Sequence, residues 1–243
     1  MRSEQIIGGR HCFIYEDKEA DIFLIQAVDE HDLGVLDREV EVIKELSSDM
    51  QFALAAFLIE DWNCELSPWA APAVFGRNGF GGGAADTLTF VTETLQPRLK
   101  SSYGRDGKVN FYLGGYSLSG LFALWASYQT DVFDGVAAVS PSVWFPDWDT
   151  YVMSHSIRAP KVYLSLGEKE ERTKNKTMSK VGDNIRLQYE LLSRKSAVKA
   201  CTLEWNPGNH FADSEIRMAK GFAWLLNNIS FLTEKDNVSY SEK

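Results

Sequence analysis

Cysteine is scarce in this chain. Its 243 residues hold three, Cys12, Cys64 and Cys201, far apart and with no C-x-x-C pair. That spacing excludes a disulfide framework and a zinc ribbon and leaves reduced thiols as the reading. Cys64 alone falls in a loop expected near the functional edge, and even there a plain thiol is favoured. Positive charge is also in short supply. Twenty-five Lys and Arg face 34 Asp and Glu, for a formal net charge of −9. A nucleic-acid groove needs clustered cations, and so does a polybasic membrane surface. Neither nucleic acid nor membrane is therefore expected as a partner. Acidity alone does not point to a cationic substrate, because it also serves solubility.

Long apolar runs are missing too. None approaches the length of a membrane span, and residues 1–10 lack the apolar segment of a secretory signal. The cytoplasm is the expected location, where the N-x-S/T sequons at Asn175, Asn228 and Asn237 would carry no glycan. Neither G-x-x-x-x-G-K-[ST] nor H-E-x-x-H occurs. The run from Gly79 to Ala84 formally fits G-x-G-x-x-A, but it follows a Pro-containing loop instead of a strand. It therefore fails the context test for a dinucleotide fold and reads as a tight turn before a helix.

What is present is alternation. Residues 11–15, 22–28, 52–59, 109–113, 136–139, 161–166 and 198–205 read as strands. Residues 38–46, 86–103, 118–128, 184–193 and 214–227 read as helices, with Pro97 expected to kink or shorten the second. This order implies βαβ units and a mostly parallel sheet with helices on both faces. The pattern resumes after each irregular stretch, 61–85 and 168–180, so a single α/β domain over residues 1–243 is expected. Ligands in such sheets bind beyond the strands' C-terminal edge. The loops to search follow Ile59, Leu113, Val139, Leu166 and Trp205.

One of those loops reads Gly114-Gly115-Tyr116-Ser117-Leu118-Ser119-Gly120 and opens an apolar helix. It is close to the G-x-S-x-G elbow, which presents a serine on a sharp strand-to-helix turn. Ser117 is the expected nucleophile. Ser119 is the rival, but the residue two before it is Ser117, a poor turn glycine. A serine needs a base, and only four histidines are available: His11 in an early strand, His31 in a turn, His155 in a polar connection, and His210. In the order serine, acid, histidine, His210 alone follows both Ser117 and the last strand. The acid should follow the strand ending at Gly167, where Glu168-Lys169-Glu170-Glu171 begins. Glu170, three residues after the glycine, is the choice. Glu168 and Glu171 are close rivals, and Asp147 and Asp149 a second option. The oxyanion hole is expected from the amides of Leu118 and Trp62. The aromatics Trp62, Trp69, Phe75 and Phe80 line an acyl pocket or form a packed cap.

The stretch from Leu113 to Leu124, together with Ser140-Pro141-Ser142-Val143-Trp144 and Gly208-Asn209-His210, resembles the esterase family of the α/β-hydrolase superfamily. That family includes esterase D-like and enterobactin esterase-like serine hydrolases. One departure is Ser119, which stands where the elbow motif has its last glycine. The resemblance implies the α/β-hydrolase fold and hydrolysis of a small-molecule ester or thioester through an acyl-serine, with no metal or organic cofactor. A small acyl group and a modest alcohol are the expected substrate parts. Acyl transfer to another alcohol, or a non-catalytic binding module of the same fold, are the alternatives.

Overall fold

Ile22–Val28 is buried at all seven positions, and a strand dry on both faces must sit inside a sheet covered on both sides. The computed structural model describes residues 2–16, 20–47, 50–104 and 107–229. Its strands are β1 (Arg2–Ile7), β2 (Arg10–Tyr15), β3 (Ile22–Val28) and β4 (Ala53–Leu58). A short ribbon of β5 (Ala70–Ala71) and β6 (Phe80–Gly81) follows, then β7 (Asn110–Tyr116), β8 (Gly135–Val139), β9 (Lys161–Gly167) and β10 (Ala200–Asn206). The main sheet runs β1-β2-β4-β3-β7-β8-β9-β10. The six strands from β4 to β10 are parallel, and β1 and β2 join antiparallel at one edge. The mostly parallel α/β sheet is as expected. Strand β1 was not, because its mixed residues Arg2-Ser3-Glu4-Gln5 leave it half exposed, without apolar alternation.

The helices are α1 (Leu36–Leu46), α2 (Trp62–Glu65), α3 (Ala84–Thr89), α4 (Gln96–Tyr103), α5 (Leu118–Gln129), α6 (Trp148–Ser154), α7 (Val181–Ser193) and α8 (Ser214–Asn227). One face of the sheet packs on α1 and α8 through Val40, Ile43, Met218, Phe222 and Leu225. The other packs on α5 and α7 and on the helical stretch from α3 to α4. Burying a side chain such as Phe222 contributes roughly 2–3 kcal/mol. Pro97 neither ends nor splits its helix. A π-helical turn, Phe90–Leu95, links α3 to α4, so the proline falls in the first turn of α4, where its missing N–H is tolerated. Helix α6 was not expected. It stacks Trp148, Tyr151 and His155 in succession, which places His155 at its end instead of in a polar connection.

Chain order turns back on itself between β3 and β7. From β3 the sheet grows one way to β4 and the other way to β7. That reversal opens a crevice at the C-terminal edge, and Ser117 stands directly after β7. Among the described residues no helix is long and apolar enough to cross a membrane. All three cysteines are free, and burial pushes the thiols of Cys12 and Cys201 up to about 11 and about 12. The run at Gly79–Ala84 forms β6 and the start of α3. Of the three sequons, Asn237 lies outside the described residues, and Asn175 donates its side-chain amide to the Val74 carbonyl.

Candidate active site

The backbone at Ser117 has φ 58° and ψ −120°, a conformation that non-glycine residues adopt only when their surroundings enforce it. The enforcement is visible. The Ser117 amide donates to the Val139 carbonyl at 3.1 Å, and its carbonyl accepts from Ser142 at 3.0 Å and from Leu121 in α5. A Cβ on Gly115 would lie 2.3 Å from the Ser119 hydroxyl and 2.4 Å from its backbone, so only glycine lets the turn close. Ser119 is fully buried, and its hydroxyl donates to the Ala27 carbonyl at 2.9 Å. The serine in place of the motif's glycine therefore ties the elbow to β3, and its oxygen faces away from solvent.

His210 comes to Ser117 from the loop after β10. Its Nε2 lies 3.0 Å from Ser117 Oγ, and its Nδ1 lies 2.7 Å from Glu170 Oε2. An ionised carboxylate only accepts, so Nδ1 carries the proton and Nε2 is left to accept from the serine. Glu170 is the acid that reaches the histidine. Glu171 instead pairs with Arg186 at 2.9 Å, Glu168 is exposed, and Asp147 and Asp149 sit at the start of α6. The second oxygen of Glu170 accepts from the Ser140 hydroxyl and the Gly167 amide, both at 2.7 Å. Burial raises the carboxyl's pKa. The hydrogen bond and charge of His210, with the Ser140 and Gly167 donors, outweigh that and hold it below the usual value. Gly167 is required here, because a Cβ would meet the Gly208 carbonyl at 2.8 Å and Glu170 Oε1 at 2.9 Å.

Several participants were not singled out from sequence. The Ser-Pro-Ser-x-Trp stretch served there only as a family mark. In the structure Ser140 holds Glu170, Ser142 Oγ lies 3.4 Å from Ser117 Oγ, and Trp144 lines the cleft. Tyr116 donates its hydroxyl to the His210 carbonyl at 2.7 Å. Arg217, 2% exposed, reaches the same cluster from the first turn of α8. A lone arginine on the apolar face of the last helix is the signal that could have found it.

Above Ser117 opens a cleft of about 560 Å³. Leu118 and Trp62 both line it, and each opens a helix. First-turn amides have no acceptor inside their own helix. The walls are mainly apolar, with Phe75, Phe80, Trp144, Met178 and Val181. Trp69 is the exception among the aromatics expected there. It packs against Phe145, Trp148 and Tyr151, and its indole donates to the Pro146 carbonyl. It belongs to a packed cap, while Trp62, Phe75 and Phe80 face the cleft. Phe211, 89% exposed, flanks His210 at the opening. Cys64 lines a neighbouring groove and not this cleft.

Residues 40–213 match the protein family described as "Putative esterase". No curated protein matches the chain in sequence. Among solved structures, the chain is similar to an IroE-like serine hydrolase from Shewanella oneidensis, with a TM-score of 0.77 and 16% identity over 93% of this chain and 80% of that one. It is similar to the siderophore hydrolase EstA from Aspergillus nidulans, with a TM-score of 0.74 and 18% identity over 93% and 94%. It is also similar to the enterobactin esterase FES from Shigella flexneri, with a TM-score of 0.63 and 15% identity over 93% and 58%. At these identities the structural likeness is one of fold.

Proposed function

The chain belongs to the "Putative esterase" family; from that premise we propose that it is a serine esterase of small-molecule carboxylic esters, with Ser117, His210 and Glu170 carrying the reaction in a single α/β-hydrolase domain. The observation that carries this reading is the unbroken relay of 2.7 Å from Glu170 to His210 and 3.0 Å from His210 to Ser117. Ser117 Oγ attacks the ester carbonyl while His210 Nε2 takes its proton. The amides of Leu118 and Trp62 hold the oxyanion. His210 then returns the proton to the departing alkoxide, and a water repeats the sequence to free the acid and restore Ser117. Glu170 keeps the imidazole in the right tautomer and offsets its charge once it is protonated.

The substrate we propose is a siderophore-type ester with an acyl part larger than a short fatty acid. Three features support this. The cleft volume lies within the range of about 300–1,000 Å³ that takes drug-sized ligands. Its walls are aromatic, and the exposed Lys169 and Arg172 stand beside it without an ion-pair partner among the described residues. The structural relatives named above include siderophore and enterobactin hydrolases. The test compares kcat/KM for p-nitrophenyl acetate, p-nitrophenyl butyrate and enterobactin. The proposal expects enterobactin to exceed both by about 100-fold or more, the scale that well-placed remote contacts supply. A preference for acetate or butyrate would reject the siderophore substrate and leave the triad standing.

A further inference from the structure

Arg217 makes more hydrogen bonds around the site than any triad member, yet it does not line the cleft. Its Nη1 donates to Glu170 Oε1 at 3.2 Å, to Tyr116 Oη at 3.2 Å and to Ser140 Oγ at 3.3 Å. Its Nη2 donates to the carbonyls of Pro207 at 2.8 Å and Asn209 at 3.0 Å. Those carbonyls belong to the loop that delivers His210, and Tyr116 in turn grips the His210 carbonyl. One planar guanidinium thus bonds the acid on one side and the histidine's loop on the other.

We propose that Arg217 is a positioning residue for the esterase reaction: a side-chain brace that, on top of the backbone bonds between the two segments, sets the distance and angle between the Glu170 carboxylate and His210. The inference rests on the triad reading above. Glu170 comes from the segment after β9 and His210 from the loop after β10. Two backbone bonds already link these segments, from the Glu168 amide to the Asn206 carbonyl at 2.9 Å and from the Lys169 amide to the Gly208 carbonyl at 3.0 Å, but both stop short of His210 and neither touches the Glu170 carboxylate. Loops vary more than strands, and a side chain that bonds both removes the variation. The geometry also selects an oxygen. With Oε1 of Glu170 taken by Ser140, Gly167 and Arg217, only Oε2 is left for the imidazole. Lysine cannot substitute, because an ammonium is a compact point charge without the fork that spans both sides.

The test measures kcat and KM on a p-nitrophenyl ester for wild type, Ser117→Ala, Arg217→Lys and Arg217→Ala. Active sites are counted by fluorophosphonate titration, so that kcat refers to folded, competent sites only. Arg217→Lys is expected to lose about 10- to 100-fold in kcat per site, as ångström-scale misplacement does. Its KM should stay within about twofold of wild type, because the cleft wall is untouched. Added guanidinium ion should restore part of kcat in Arg217→Ala. If that variant does not fold, Arg217→Lys carries the test alone. A wild-type kcat per site together with a lowered Tm would overturn the inference, making Arg217 a structural brace only. Turnover retained in Ser117→Ala would instead bring down the triad reading, and this inference with it.

Discussion

Glu39 is a carboxyl buried without a cation among the described residues, and its replacement by glutamine should stabilise the protein. It lies in α1, 3% exposed, and accepts a hydrogen bond from Gln26 in β3 at 3.0 Å. A cavity of about 20 Å³ separates it from Asp32, Tyr116, Glu215 and Met218. Burial pushes its pKa from 4.5 to about 8, the Gln26 bond opposes the shift, and the charges of Asp32 and Glu215 add to it. The group therefore stays protonated in the folded chain at neutral pH. Because the folded pKa is raised, its favourable contribution is complete below about 4.5 and is lost as pH rises through about 8. At 1.36 kcal/mol per pH unit, the loss reaches about 3 kcal/mol at pH 7. Glu39→Gln mimics the protonated form at every pH and can still accept from Gln26. It should gain about 3 kcal/mol over wild type at pH 7, or roughly 6–12 °C in Tm at this chain length. At pH 4.5 it should gain nothing. Thermal unfolding followed by circular dichroism between pH 4.5 and 8 reads this directly. Tm curves for the two proteins that run parallel across that range would refute the reasoning.

Two further outcomes follow from the site. Glu170→Gln replaces an acceptor by an amide that can donate to His210 Nδ1, which turns Nε2–H toward Ser117. Steady-state kinetics should show kcat reduced by about 10²- to 10⁴-fold at unchanged KM, and a loss under fivefold would mean that the acid lies elsewhere. Ser119→Ala leaves the Ala27 carbonyl without its donor. Denaturant unfolding should register a loss of about 1 kcal/mol while esterase activity persists.

Fold and site were legible to different depths. The apolar runs marked seven of the eight main-sheet strands, and their alternation with 3.6-residue helical stripes implied a mostly parallel sheet, because strands such as Ile22–Val28, dry on both faces, need helices on both sides. Strand β1 escaped because it lies at an edge, where half-exposed polar residues carry no alternation. Helix α6 escaped because it is short and held by aromatic stacking, which has no period. Ser117 and His210 could be singled out because position along the chain limits both: one follows the middle strand, the other the last. Glu170 could only be chosen among neighbours, since three glutamates in four residues differ in direction alone. A 3₁₀ turn, Glu170–Arg172, sends Glu170 inward and leaves Glu171 to Arg186. Arg217 needed three dimensions, because its partners come from four separate segments of the chain.

The central claim is that Ser117 is an activated nucleophile. It is tested most directly by treating folded wild type, Ser117→Ala and Ser119→Ala with a fluorophosphonate and locating the adduct by peptide mass mapping. The account predicts one phosphonyl group on the peptide that carries Ser117, retained in Ser119→Ala and abolished in Ser117→Ala. An adduct on Ser119, or none on folded wild-type protein, would contradict it.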